Sequence, residues 1–328
     1  MDDFDFAPYD RMVAASLARW DIGPRATARM INHSENITYR IDDPDRAAPL
    51  ILRLHRPGYH TDSAILSELN WLAALQADGV VRTAPALPGR DGELLQVVHG
   101  PGVDAPRRAV LFSFLDGREP EAADMRGTMG QLGAVTARLH RHARAWPLPQ
   151  GFARQSWDMT TMLGERPIWG HWHAAPSASG ETRAILARAV ATIGRRLAAF
   201  GDGPERRGLI HADLRAANLL VDGSEVAVID FDDCGFGWFL YDYATTVTFM
   251  EEHPEVSDWT AAWVEGYRSV MPLSAAEEAE LPSFLLLRRM MAVCWIGSHM
   301  ETELAQSLGA PFVRASAELA EPYLARFG

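Results

Sequence analysis

The segment His211-Ala-Asp213-Leu-Arg215-Ala-Ala-Asn218 places a carboxylate five positions before an amide. Twelve residues further on, Asp230 closes the apolar run Val226–Ile229. Such a set has a definite chemical use. Asp213 can orient an attacking hydroxyl as its base. Asn218 offers a neutral oxygen and Asp230 an anionic one, the ligands a hard cation such as Mg2+ accepts while keeping positions open for phosphate. These are the parts phosphoryl transfer needs, because that reaction relies on positioning and charge neutralisation. Each residue alone has a plainer reading: a turn-forming Asp, a capping Asn, a carboxylate ending a strand. The joint spacing favours chemistry.

Elements must position those groups. Alternation predicts strands at Thr27–Ile31, Asn36–Ile41, Leu50–His55, Glu93–Val98 and Ala109–Phe114, with one helix over Asp10–Trp20 and another over Asp62–Ala77. After Leu115-Asp-Gly117 the pattern turns helical, with helices expected at Met125–Ala145, Glu181–Phe200, Tyr241–Glu251, Trp259–Val270, Glu277–Glu301 and Val313–Leu324. A hairpin around Asp222-Gly223 separates Asn218 from Asp230. The expected class is α+β: an N-terminal antiparallel-sheet lobe over residues 1–112, a hinge at 113–117 and a larger, mostly helical lobe over 118–328.

Composition narrows the functional classes. The chain has 328 residues, 48% hydrophobic and 23% charged, as in ordinary globular proteins. A net charge of −12 argues against nucleic acid as a partner. No apolar run reaches the roughly 18 residues of a membrane span, and the acidic start Met1-Asp-Asp does not resemble a signal peptide, so the cytoplasm is the expected compartment. The two cysteines, Cys234 and Cys294, have no metal-ligand spacing. His171-Trp-His173 lacks further ligands at useful spacing and is read as packing or surface. The chain contains no lysine; all 31 of its Lys-plus-Arg residues are arginine. Any kinase-like role for lysine must therefore fall to arginine or be absent.

Together, Glu35-Asn-Ile-Thr-Tyr-Arg40, Leu52-Arg-Leu-His-Arg-Pro57, the 211–218 loop, Ile229-Asp-Phe-Asp-Asp233, Tyr241-Asp-Tyr-Ala244 and the helix Leu287–His299 resemble the aminoglycoside phosphotransferase and choline kinase superfamily, in family order over most of the chain. Within it the chain resembles the branch of homoserine kinase type II, hydroxylysine kinase and stress response kinase A. The resemblance implies a protein-kinase-like bilobal fold and the cofactors ATP and Mg2+. It gives His211 a structural role in the loop and Asp242 a buttressing role beneath it. Arg215 lies where many protein kinases aim a lysine at the γ-phosphate. Arg53 stands at the strand position of the usual phosphate-binding lysine, with Glu68 as its expected helix partner, and arginine can serve that role with permanent charge. Ile51 is expected on the adenine ring. The turn Asn32-His-Ser-Glu-Asn36 takes the place of the glycine-rich loop without containing glycine, so that Ser34 and Asn36 are candidate phosphate donors. In Phe112-Ser-Phe-Leu-Asp-Gly117, the Ser113 carbonyl and Leu115 amide are expected to bond adenine, with Phe112 lining the back of the pocket.

For the acceptor, the superfamily implies a pocket by the helical lobe, with Trp157, Asp158, Trp169, Trp172, Trp238, Arg288 and Trp295 as candidates. Asp232 and Asp233 can meet the substrate or assist the metal. Aromatic and acidic groups suit a cationic amino alcohol, whereas Arg288 suits a carboxylate. The expected function is transfer of the γ-phosphate of ATP to a hydroxyl of a small molecule, an amino alcohol or a hydroxylated amino acid. A protein Ser/Thr kinase of the stress response type and a non-catalytic nucleotide-binding protein remain alternatives.

Overall fold

In the computed structural model, which describes residues 5–33, 36–120, 125–223 and 225–328, the first helix α1 (Ala7–Ser16) starts earlier than the apolar pattern implies. Pro8 sits in its first turn, where a missing N–H costs nothing. A 3-10 turn then carries the chain through Leu17–Arg19. Strands β1 (Thr27–His33), β2 (Ile37–Asp42) and β3 (Leu50–Leu54) pair antiparallel in sequence. Helix α2 (Asp62–Ala77) follows, opened by the Thr61 hydroxyl, which accepts the Ala64 amide at 3.2 Å. The short strands β4 (Ala86–Leu87) and β5 (Gln96–Val98) both pair with β6 (Arg107–Ser113), which lies beside β3. Strand β5 is shorter than the alternation from Glu93 suggests, because a turn at Gly89–Glu93 takes up that part of the backbone. Alternation puts Leu50, Leu52 and Leu54 into one core with Met12, Val13, Trp20, Tyr39 and Ile41.

These elements form one compact unit, residues 1–116 with 148–153; residues 117–147 and 154–328 form a second. The second unit is mostly helical. It contains α3 (Met125–Ala145), β7 (Ser156–Trp157), α4 (Met159–Met162) and α5 (Gly180–Phe200). Next come β8 (Arg207–Ile210), the hairpin β9 (Leu219–Asp222) and β10 (Glu225–Val228), and β11 (Gly235–Trp238). Helices α6 (Phe239–Thr246), α7 (Val256–Arg268), α8 (Ala275–Glu278), α9 (Leu281–Ser298) and α10 (Glu303–Phe327) complete it. Strand β11 joins β8 antiparallel and β7 parallel.

Expected helices also differ in extent at three further places, each for a local reason. Helix α6 ends at Thr246 rather than Glu251. The hydroxyls of Thr245, Thr246 and Thr248 bond back to carbonyls three residues earlier and compete with the helical ladder. The long helix expected from Glu277 is split, because a Ser274/Glu277 capping box opens α8 and Pro282 forces a fresh start at α9. The last helix is longer than expected and is broken at Gly309, which has φ 43° just ahead of Pro311. The α+β class itself is as expected. Among the described residues, no helix is long and apolar enough to cross a membrane.

Helix α9 is buried along nearly its whole length, and Arg288 and Arg289 lie within its apolar run. Helices α3 and α7 approach through glycines. A Cβ added at Gly266 would collide with the Gly130 carbonyl, and one at Gly133 would collide with that of Trp263. Alanine is the better helix former by about 1 kcal/mol, but overpacking costs about 1–3 kcal/mol. Gly266→Ala is therefore expected to lower the thermal midpoint. A midpoint that is unchanged or raised would show that the two helices do not need this approach.

Candidate active site

Strand β8 ends at Ile210, and the loop that follows carries His211, Asp213 and Arg215 before a 3-10 turn delivers Asn218 to the start of β9. The hairpin register does the rest. Leu219 pairs with Val228, and the Ile229 amide donates to the Asn218 carbonyl at 3.0 Å. Asn218 thus lies across the hairpin from the residue that precedes Asp230. Two non-glycine residues here have left-handed backbone, Ala212 with φ 68° and Asp230 with φ 59°. Strain of this kind persists only where the surroundings over-determine it.

The surroundings do so at Ala212. Asp242, fully buried on α6, accepts the backbone amide of Ala212 at 2.7 Å and that of His211 at 3.1 Å. His140 of α3 bonds the same carboxylate through Nε2 at 3.0 Å and meets the Tyr267 hydroxyl with Nδ1 at 3.1 Å. The Thr245 hydroxyl accepts the Leu214 amide at 2.8 Å. His211 links the loop to β10. Its Nε2 donates to the Ile229 carbonyl at 3.1 Å, and its Nδ1 accepts the Asp213 amide at 3.2 Å. Both ring nitrogens are therefore engaged with backbone.

Asp213 occupies the centre of a charged group. Its Oδ2 accepts from Asn218 Nδ2 at 2.7 Å and from Arg215 Nε at 3.2 Å, and its Oδ1 accepts from Arg288 Nη2 at 2.6 Å. Burial pushes the Asp213 carboxyl up, but the guanidiniums of Arg215 and Arg288 outweigh it and hold the group below the usual carboxylate range. Asp213 in turn raises Arg215. The neighbouring Tyr241 phenol is pushed up to about 12, chiefly by burial, and stays protonated. With Asn218 Nδ2 committed to Asp213, the Asn218 side-chain oxygen is its remaining polar atom. Together with the Asp230 carboxylate this forms a donor set of oxygens alone, which fits Mg2+ bound mainly through one or two protein ligands and phosphates. Among the described residues, no group of three or more His, Cys, Asp or Glu is placed to hold a metal by itself.

The 230–234 loop is anchored from the segment before β7. Arg154 donates to the carbonyls of Asp232 and Cys234, and Trp157 Nε1 donates to the Asp233 carbonyl at 2.8 Å. The aromatic candidates divide. Trp169 packs edge-on against Trp157 at 5.4 Å, Trp157 stacks on Tyr241 at 6.2 Å, and the Arg288 guanidinium lies 5.5 Å from the Trp169 ring centre. Asp158 caps α4, and Trp172 is buried in a 3-10 turn. Trp238 gives its Nε1 to the Gly201 carbonyl and packs near Phe284, while Trp295 stacks on His299.

In the first unit, Arg53 of β3 and Glu68 of α2 are both buried, and Arg53 Nη2 reaches the two Glu68 oxygens at 2.7 and 2.8 Å. Glu68 falls inside the stripe Ile65, Leu69, Leu72, Leu75 that α2 buries. The Arg53 guanidinium also lies 5.1 Å from the ring centre of Phe112, the β6 residue paired with Ile51. Ser113 ends β6, and Leu115 follows it. Asn36 is buried and turns its side-chain oxygen to the Arg56 amide at 2.9 Å. Ser34 lies outside the described residues. The residues not foreseen from sequence are His140, Arg154, Thr245 and Thr248. Each acts across at least thirty residues of chain, and no local spacing marks them.

The chain belongs to the phosphotransferase enzyme family, whose profile matches residues 27–278. The solved structure of a microcompartment-associated aminopropanol kinase is 43% identical, with a TM-score of 0.88 over 96% of this chain and 98% of that one. The homoserine kinase of Pseudomonas aeruginosa is 30% identical over 85% of this chain and 84% of its own length. The amicoumacin kinase of Bacillus subtilis is 25% identical over 86% and 83%, respectively.

Asp242→Asn tests the support of the loop. The amide presents an N–H where a backbone donor now points, at a cost of about 1–3 kcal/mol. Chemical unfolding should show that loss, and hydrogen exchange should speed up at the His211 and Ala212 amides. Unchanged exchange there would show that Asp242 does not hold them.

Proposed function

We propose that this protein is a magnesium- and ATP-dependent kinase that moves the γ-phosphoryl group onto a hydroxyl of a small amino alcohol or hydroxylated amino acid. One observation carries the reading: the hairpin register that sets Asn218 beside Asp230, while Asn218 also grips Asp213. A base, a neutral oxygen ligand and an anionic one are thereby assembled by one short stretch of chain. The resemblance to an aminopropanol kinase and a homoserine kinase supports the acceptor class.

In this reading Asp213 orients the acceptor hydroxyl. The hydroxyl oxygen bonds to the γ-phosphorus, the bond from that phosphorus to the β,γ-bridging oxygen breaks, and ADP leaves with its electrons. The hydroxyl proton passes to Asp213 and then to solvent. Asn218 and Asp230 would hold magnesium, which would supply positive charge against the phosphates. Arg215, fixed against Asp213, supplies positive charge for the γ-phosphoryl group. Arg53 neutralises the α- and β-phosphates, held in place by Glu68. Ile51 and Phe112 line the adenine, the Ser113 carbonyl and Leu115 amide bond it, and Asn36 donates to the phosphates. His211 and Asp242 support the loop. A cytoplasmic location suits a reaction that draws on ATP.

Thermal stabilisation by Mg-ATP, followed by assays of phosphate transfer to aminopropanol, homoserine and related alcohols, tests the whole reading. Asp213→Asn and Asp230→Asn should each cut turnover by at least about 100-fold, the lower end of general base and metal contributions. Arg53→Met should raise the KM for ATP more than it lowers kcat. ATP binding without transfer to any alcohol would sink the proposal, and labelling of a protein in place of the alcohols would redirect it.

A further inference from the structure

Arg288 has a superficially obvious use, to bind a carboxylate on the acceptor. Its surroundings argue otherwise. The side chain is 6% exposed, on a helix apolar nearly all round, and each of its three nitrogens already has a partner. Nε donates to the Thr248 hydroxyl at 2.9 Å, Nη1 meets the Tyr241 hydroxyl at 3.4 Å, and Nη2 donates to Asp213 Oδ1 at 2.6 Å. The flat guanidinium lies against Trp169, which Trp157 and Tyr241 back in turn.

The acceptor capacity of Asp213 makes this arrangement specific. A carboxylate has about four lone-pair directions, two on each oxygen. Asn218 and Arg215 take those of Oδ2, and Arg288 takes one of Oδ1. Among the described residues, one direction on Oδ1 is left, and the carboxylate cannot rotate without breaking three charge-assisted bonds.

We propose that Arg288 is a positioning residue for phosphoryl transfer: it locks the Asp213 carboxylate so that the remaining Oδ1 direction serves the acceptor hydroxyl, and it does not anchor an acceptor carboxylate. The inference rests on the reading of Asp213 given above. Its consequence for substrate class is that an amino alcohol without a carboxyl group needs nothing further from this cluster. A hydroxylated amino acid that drew Arg288 away would leave Asp213 unclamped and a buried ion pair broken, an arrangement with a large penalty.

The test compares Arg288→Lys, Arg288→Met and Thr248→Val with wild type, measuring kcat and the KM for ATP, aminopropanol and homoserine. Arg288→Met should lower kcat about 100-fold, the cost of misplacing a reacting group by about 1 Å, while all three KM values stay within a few-fold. Arg288→Lys should restore part of the loss, because it returns the charge without the planar fork. Thr248→Val removes only the Nε anchor. It should lower kcat several-fold, and it carries the test should Arg288→Met fail to fold by thermal melting. Transfer by wild type with kcat unchanged in the folded variants overturns this inference alone. A large rise in acceptor KM with kcat retained also overturns it, by assigning Arg288 to the acceptor. No transfer by wild type to either alcohol overturns the functional reading, and this inference with it.

Discussion

The buried carboxylate of Asp242 is the constraint on which the rest of the site depends. A carboxyl group removed from water must find hydrogen-bond partners, because a buried polar group left unpaired costs more than a hydrogen bond returns. Those it finds are two consecutive backbone amides of the 211–218 loop and the ring of His140. Consecutive amides can converge on one carboxylate only if the chain turns sharply between them, and Ala212 makes that turn with φ 68°. The strained residue and the buried acid are thus two aspects of one arrangement. From there, His211 extends the restraint to β10, so loop and hairpin hold a common register.

Arginine repeats this logic at three buried places: Arg53 with Glu68, Arg288 with Asp213, and Arg289 with Glu251. In a chain without lysine, histidine is the basic side chain that burial readily neutralises, whereas guanidinium keeps its charge under all ordinary conditions. Each buried arginine therefore demands a carboxylate and fixes its geometry. At Arg53 this sets the orientation of α2 against β3. At Arg288 it ties α9 to the 211–218 loop.

Much of the site is legible in the sequence because its spacing is local. Asn218 and Asp230 are arms of a single hairpin turned at Asp222-Gly223, and a short hairpin allows one register. Glu68 stands out as a carboxylate within an apolar helical stripe, and the strand alternation that carries Arg53 is equally clear. The supports are not legible. His140 lies 102 residues from Asp242, on a helix whose pattern asks only for burial at that position. Strands β7, β8 and β11 are too short for alternation to register, and β11 begins Gly-Phe-Gly. The early end of α6 follows from threonine hydroxyls turning back on the helix, a choice that periodicity does not record.

In the proposed function, the charges around Asp213 also bear on what kind of base it would be. Two guanidiniums outweigh the effect of burial, so its carboxylate is held below the ordinary range and is a weaker proton acceptor than a solvated Asp. For a reaction that needed early deprotonation of the nucleophile this would be a poor design. Phosphoryl transfer passes through a loose transition state in which the nucleophile bears little charge until late. What that transition state needs early is alignment of the hydroxyl, and a carboxylate clamped by Asn218, Arg215 and Arg288 supplies alignment at the expense of basicity. The clamp and the weak base are therefore compatible with one reaction class. They would be incompatible with abstraction of a proton from carbon, where the strength of the base decides the rate.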